Sequence, residues 1–374
     1  MTHPAPLQPL TDLGQSIWLD YIRRDMFADG SLRRMIETDG LRGMTSNPSI
    51  FDKAIADTEL YDEALRAELA RDAHQSNQEL FFRLAIDDVR QALDLFAPVY
   101  EASGHTDGFV SLEVSPELAR DTDATVREAK ALWRQVERPN LMIKVPATRE
   151  GIPAIRELLE EGLNINVTLL FSIERYRAVL DAYLDALESR LAKGQPLAAI
   201  NSVASFFVSR VDVKLDAALE ADGSPDALAL RGHCAVANAK LAYAHLQHVM
   251  AGERWQRLAA ADANAQRLLW ASTSTKNPDY PPLLYVDTLV GPHTVNTLPP
   301  ATYERLLHTP LSEVTIDRDL DAARGALQTL ERLGIDLDAV TDQLEQEGVT
   351  AFSEAFRHLL GRIDERRAQL KAAS

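Results

Sequence analysis

Eight short runs of apolar and β-branched residues, separated by long stretches of helical spacing, constrain this chain more than any other feature. The runs lie near Ile17–Asp20, Gly43–Asn47, Gly108–Val114, Leu141–Pro146, Ile165–Phe171, Asn201–Phe207, Leu268–Ser272 and Thr294–Leu298. Between them fall amphipathic segments such as Tyr61–Ala70, Glu79–Phe96, Ala124–Val136, Ile152–Glu161 and Ile173–Leu191. Strict strand–helix alternation implies parallel pairing through right-handed crossovers. Eight repeats predict an α/β fold closed into a (β/α)8 barrel of the TIM type. An open doubly wound sheet fits less well, because no Gly-x-Gly-x-x-Gly follows any of the runs. The 374 residues suit one such domain spanning 1–374,. Its helical insertions are expected at about 53–104 and 211–266, and C-terminal helices at about 311–374. In Leu311–Ser374, apolar residues recur at helical spacing through Leu327, Leu330, Leu333, Phe352, Phe356, Leu359, Leu360 and Ile363. That pattern predicts packing against the barrel exterior. The alternative is a last helix folded over the mouth.

The unusual polar residues fall at or near the ends of these runs: Asp20, Asn47, Glu113, Lys144, Thr168, Ser205 and Ser272. They are spaced by 27, 66, 31, 24, 37 and 67 residues. The four shorter gaps each suit one βα unit, and the two long ones hold the insertions. In a barrel, residues at carboxyl ends of strands face the active-site mouth. Lys144 stands out among them, because Leu141, Met142, Ile143, Val145 and Pro146 surround it with apolar neighbours. A buried ammonium must be paired or have its pKa depressed. A partly neutral amine could form a Schiff base with a carbonyl substrate, whereas an ion-paired lysine could be purely structural.

Composition narrows the partners. The net charge of −17 argues against nucleic acid and against an anionic membrane,. An acidic protein that binds an anionic metabolite must gather a few basic groups locally. The single cysteine, Cys234, excludes an intrachain disulfide and points to a reducing, cytoplasmic setting,. It lies in an alanine-rich helical stretch and reads as a packed, inert thiol. Met1-Thr-His-Pro-Ala-Pro6 lacks the basic and apolar regions of a signal peptide,. No apolar run approaches membrane-spanning length. His245 and His248, with His233 upstream, lack an accompanying carboxylate pattern, so no metal is expected. Trp18, Trp133, Trp255 and Trp270 read as packing residues. There is no Walker loop.

Four motifs carry chemistry. In Gly43-Met-Thr-Ser-Asn-Pro-Ser-Ile-Phe51, Pro48 biases Asn47 to extended geometry, so its amide can point into the mouth. In Asn164-Ile-Asn-Val-Thr-Leu-Leu-Phe171, Asn166 and Thr168 share one strand face, next to the strand of Lys144. Ala204-Ser-Phe-Phe-Val-Ser-Arg210 places Ser205 near a strand end. It also sets Arg210 at the following helix start, a setting suited to clamping phosphate. Leu268-Leu-Trp-Ala-Ser-Thr-Ser-Thr-Lys276 opens a strand into Ser272, Ser274 and Lys276, and the loops after strands seven and eight are common phosphate sites.

In this order the motifs Thr-Ser-Asn-Pro-Ser, Ile-Lys-Val-Pro-Ala-Thr, Asn-Val-Thr-Leu-Leu-Phe-Ser and Ala-Ser-Phe-Phe-Val-Ser-Arg resemble those of the transaldolases, chiefly the longer bacterial type, from about residue 15 onward. The resemblance implies a Schiff-base enzyme of the pentose phosphate pathway, without cofactor or metal. It would move a dihydroxyacetone unit from sedoheptulose 7-phosphate or fructose 6-phosphate to an aldose phosphate. It implies Lys144 as the imine-forming residue and Asp20 as the base for the donor C4 hydroxyl. Glu113 and Thr168 would hold a water for proton transfer. Asn47, Asn166 and Ser205 would bind the dihydroxyacetone hydroxyls, and Arg210 and Ser272 the phosphate. One departure stands out: shorter transaldolases carry a second arginine after the strand-seven serine, where this chain has Ser274 and then Lys276. A lysine is a point cation and not a planar fork.

Other readings are separable. An aldolase would share Lys144 and release free dihydroxyacetone. A noncatalytic sugar-phosphate binder would form no covalent adduct. A glycoside hydrolase built on Asp20 and Glu113 leaves Lys144 and Arg210 unexplained. Monomer and homodimer are both compatible with the chain.

Overall fold

The computed structural model describes residues 5–56 and 58–372. The first four residues, on which most of the signal-peptide reading rests, and Ser374 lie outside that range. Eight parallel strands close a barrel in chain order: β1 (Gln15–Asp20), β2 (Gly43–Thr45), β3 (Val110–Glu113), β4 (Leu141–Pro146), β5 (Ile165–Leu170), β6 (Ser202–Phe207), β7 (Arg267–Ala271) and β8 (Thr294–Leu298). β8 pairs back onto β1 from Gln15↔Thr294 to Leu19↔Leu298, which closes the ring. Each strand matches one of the eight expected runs.

The helices needed below are α1 (Pro48–Ala56), α2 (Asp62–Arg71), α3 (Asn77–Ala102), α4 (Thr122–Val136), α5 (Gly151–Glu160), α6 (Ile173–Ala192), α7 (Ser209–Asp222), α8 (Cys234–Ala251), α9 (Leu320–Arg332) and α10 (Leu337–Ala372). Local chemistry starts several of them. Ser76 and Glu79 form a reciprocal capping box at α3,. Asp121 and Ser172 cap α4 and α6 through the amides of Ala124 and Arg175,. α2 and α3 lie between residues 53 and 104, with α1 starting earlier at Pro48; α8 lies between 211 and 266, with α7 starting earlier at Ser209. The C-terminal segment is not helical from Leu311; helix resumes at Leu320.

Two glycines allow close approaches the barrel needs. A Cβ on Gly43 would stand 2.5 Å from Trp18 Cε2, so β2 can lie against the buried indole only without a side chain there. A Cβ on Gly151 would fall 2.0 Å from the Pro146 carbonyl oxygen, where the chain turns from β4 into α5. Toward the amino ends of the strands, the barrel floor holds a charged plug. Asp107 accepts from the Trp18 indole at 3.0 Å and contacts Arg42 at 3.3 Å and Arg267 at 3.4 Å, with Ser16 also donating to it.

α10 departs from the exterior packing expected for it. It is tied across the carboxyl-end face by Arg175–Glu345 (3.0 Å), Lys214–Glu347 (2.5 Å), Arg357–Glu117 (2.7 Å) and Arg366–Asp62 (2.6 Å). These partners come from α6, α7, the loop after β3, and α2. The alternative reading, a helix over the mouth, is the arrangement found. A Cβ on Gly348 would stand 2.9 Å from Leu169 Cδ2, so this point of the helix rests on a β5 side chain. Leu169 itself has φ 59°, at the irregularity where β5 leaves its register with β6.

Candidate active site

Lys144 is the fourth residue of β4. Sheet register pairs it with Glu113, the last residue of β3, and with Asn166 of β5. Register partners on parallel strands point to the same side, so the three side chains form a row inside the barrel. Lys144 is 5% exposed and Glu113 7%. The lysine Nζ lies 3.3 Å from Glu113 Oε2 and donates to the Ser46 carbonyl at 3.1 Å. The burial cost of the ammonium is thus met by pairing.

Above this row opens a cavity of about 400 Å³ at the carboxyl ends of the strands. Nine of the eleven residues expected at the site line it: Asp20, Asn47, Lys144, Thr168, Ser205, Arg210, Ser272, Ser274 and Lys276. The other two lie just beneath. Glu113 touches Lys144. Asn166 donates to Ser111 Oγ at 2.9 Å and accepts from Ser205 Oγ at 2.7 Å. One N–H and one lone pair of its amide stay uncommitted. Asn47 accepts from the Ile50 amide at 3.1 Å, holding the start of α1 and leaving its NH₂ for the cavity,.

Asp20 ends β1. Thr45 Oγ1 donates to its Oδ1 at 2.7 Å and lies 2.7 Å from Thr297 Oγ1, so Thr297 is left to donate to Thr45. Desolvation lifts the Asp20 pKa above its ordinary value, against the charge of Lys144 and the Thr45 hydrogen bond,. Desolvation lifts Glu113 too, again opposed by Lys144, with Asp20 adding to the rise. Thr168 Oγ1 is buried and has no hydrogen-bond partner among the described residues, and the buried Glu113 Oε2 faces only the Lys144 ammonium.

The far end of the cavity is basic. The Arg210 guanidinium stands 5.4 Å from the Phe207 ring centre and 5.9 Å from that of Phe352. It makes no ion pair among the described residues. Ser272 adopts φ 56°. Its hydroxyl meets that of Ser209 at 2.8 Å, joining the β7 end to the start of α7. Lys276 Nζ donates to Ser274 Oγ at 2.7 Å. The loop carrying both is moored to α7 by Tyr280 on Asp216 (2.6 Å) and Tyr285 on Asp212 (2.8 Å). Arg210 and Lys276 are therefore positioned by one helix.

Several lining residues escaped sequence reasoning. Thr45 lies two residues before Asn47, and strand alternation could have placed both on one face. Ser49 and Lys53 sit one turn apart on α1, both lining the cavity,. Lys53 has no ion pair or hydrogen bond among the described residues and adds a further cation to the cavity lining. Phe352 arrives from α10 with no local signal. Cys234 is as inert as expected: its thiol donates to the Leu230 carbonyl at 3.6 Å, and burial with Asp212 and Asp216 nearby pushes its pKa up to about 12. Among the described residues no three His, Cys, Asp or Glu side chains converge as a metal site.

The sequence pattern of one family, Transaldolase/Fructose-6-phosphate aldolase, matches residues 17–363. The chain belongs to that family. Among relatives, it is 48% identical over 360 residues to a transaldolase of Thermobifida fusca, covering 96% of this chain and 97% of that protein. It is 49% identical over 358 residues to transaldolase 1 of Streptomyces coelicolor, covering 96% and 93%. It is also 46% identical to a Mycolicibacterium smegmatis transaldolase over 374 residues, the full length of both. Among the described residues no helix is long and apolar enough to cross a membrane.

Proposed function

We propose that this chain is a transaldolase. It moves a dihydroxyacetone unit from sedoheptulose 7-phosphate or fructose 6-phosphate to glyceraldehyde 3-phosphate or erythrose 4-phosphate, through a Schiff base on Lys144. The observation that carries the reading is a buried lysine facing a cavity, within 3.3 Å of a carboxylate and with Arg210 and Lys276 lining the same cavity. Proton transfer from the ammonium to a base must precede attack on the donor carbonyl. Glu113 is that base, directly or through a water held with the unpartnered Thr168 hydroxyl. The protonated imine then serves as electron sink. Asp20, whose ionised form Lys144 and the Thr45 hydroxyl favour against desolvation, takes the C4 hydroxyl proton as the C3–C4 bond breaks.

The remaining groups position the sugar. Asn47, Asn166 and Ser205 hold the hydroxyls of the three-carbon unit beside Lys144. Arg210 with Ser272, Ser274, Lys276 and Lys53 receives the phosphate at the other end of the cavity. Lysines stand where a second arginine is absent, so this end relies on point charges around one planar fork. No step requires a cofactor.

The test is reductive trapping. Incubation with fructose 6-phosphate followed by borohydride should add a three-carbon fragment to Lys144, located by peptide mass, and Lys144→Met should not acquire it. A folded protein that binds the sugar without trapping it is instead a noncatalytic binder.

A further inference from the structure

We propose that Phe352 decides between transfer and release: its ring roofs the space between Lys144 and Arg210 and keeps solvent protons from the three-carbon nucleophile. The inference rests on the Schiff-base reading above. The ring lines the cavity and is 7% exposed. Its centre stands 5.8 Å from Lys144 Nζ and 5.9 Å from Arg210 Cζ, so one ring is within reach of both cations that would hold the ends of the substrate. Cation–π attraction at a desolvated site favours that placement. No strand or βα loop supplies this ring. It comes from α10, the helix tied over the mouth by Arg175–Glu345, Lys214–Glu347 and Arg357–Glu117. Gly348, one turn earlier, brings the helix down onto Leu169, next to Thr168.

The chemistry makes a roof at this point consequential. After C3–C4 cleavage the three-carbon unit remains on Lys144 as an enamine. In transfer, its nucleophilic carbon forms a bond to the acceptor aldehyde, whose oxygen takes a proton. Water then hydrolyses the resulting imine. In release, that carbon takes a proton from water instead; the hydroxide left behind adds to the imine carbon, and the lysine amine departs with free dihydroxyacetone. Both routes balance without another reactant. They differ in whether water reaches the enamine before the aldehyde does, and an apolar ring over that carbon excludes water.

The experiment measures, for each donor cleaved, free dihydroxyacetone released against product formed on erythrose 4-phosphate. It is run on the unaltered protein, Phe352→Leu and Phe352→Met, alongside borohydride trapping. Both variants keep an apolar side chain in the packed position, and thermal unfolding identifies one that remains folded. Release relative to transfer should rise about tenfold, the scale of one desolvated aromatic contact, with the Lys144 adduct retained. A ratio unchanged in a folded variant that still traps the adduct overturns the proposal and leaves Phe352 a packing residue. Absence of the adduct in the unaltered protein overturns the Schiff-base reading itself.

Discussion

At the scale of single residues, the site is governed by charges kept in short supply of water. Asp20 illustrates the balance, since desolvation raises its pKa while Lys144 and Thr45 oppose the rise. In the proposed mechanism its ionised form is the base, so the acid limb of kcat should lie above the ordinary carboxylate value of 3.8. Thr45→Val removes a hydrogen bond that favours the carboxylate. The pKa then rises further and the limb moves to higher pH, which a pH profile of kcat reads directly. A limb that stays put or moves down would mean another group sets it. Asp20→Asn should lower kcat by roughly a hundredfold to ten-thousandfold. Because Asp20 acts after imine formation in that mechanism, borohydride should still trap the donor on Lys144 in that variant as an uncleaved adduct.

At the scale of elements, α7 ties the basic end of the cavity together. Asp212 receives the Ala235 amide at 2.7 Å and the Tyr285 hydroxyl, and burial lifts its pKa from 3.8 to about 7, with Asp216 adding to the rise. Above pH 3.8 the unfolded chain has lost this proton while the folded chain keeps it. Stability from this group is therefore full below pH 3.8 and declines as pH rises to about 7,. Asp212→Asn keeps an acceptor for Ala235 and a neutral partner for Tyr285, so the difference in unfolding free energy between the two proteins should change in favour of the variant across that window. Denaturant melts at several pH values check it; a difference flat with pH would place the proton elsewhere. The expected strands and most helices recur here because their signals are local. Apolar β-branched runs specify strands, and Ser76, Asp121 and Ser172 cap helices within their own neighbourhoods. α10 was misplaced because an amphipathic pattern gives the width of an apolar face and not what covers it.

For the whole molecule, the barrel is closed at its floor by charge and at its mouth by a helix. Asp107 is 4% exposed and serves Trp18, Arg42, Arg267 and Ser16 at once. Asp107→Ala would strand two guanidiniums and an indole N–H inside the ring. Both arginines keep some solvent, so the loss should be about 2–3 kcal/mol, at or below the range for a fully buried pair. It would appear as a lower urea midpoint with kcat preserved, the floor lying at the opposite end of the barrel from the cavity. A large fall in kcat in the folded variant would show that floor and mouth are coupled.

The linear order of residues determined the barrel and most of the polar residues that line its cavity, because strand alternation and strand-end position are one-dimensional properties. Lys144, Asp20, Glu113 and Arg210 could be singled out as polar residues in apolar runs or beside helix starts, without knowing what each would touch. Only the tertiary structure decided their partners: the ion pair of Lys144 with Glu113, the Thr297–Thr45–Asp20 chain, and the mooring of the Lys276 loop on α7. It alone brought Phe352 over Lys144, more than two hundred residues apart in the chain. The physical reason is that a hydrophobic face has no address of its own. Its destination is set by the surface that the rest of the fold leaves uncovered, and here that surface is the mouth of the barrel.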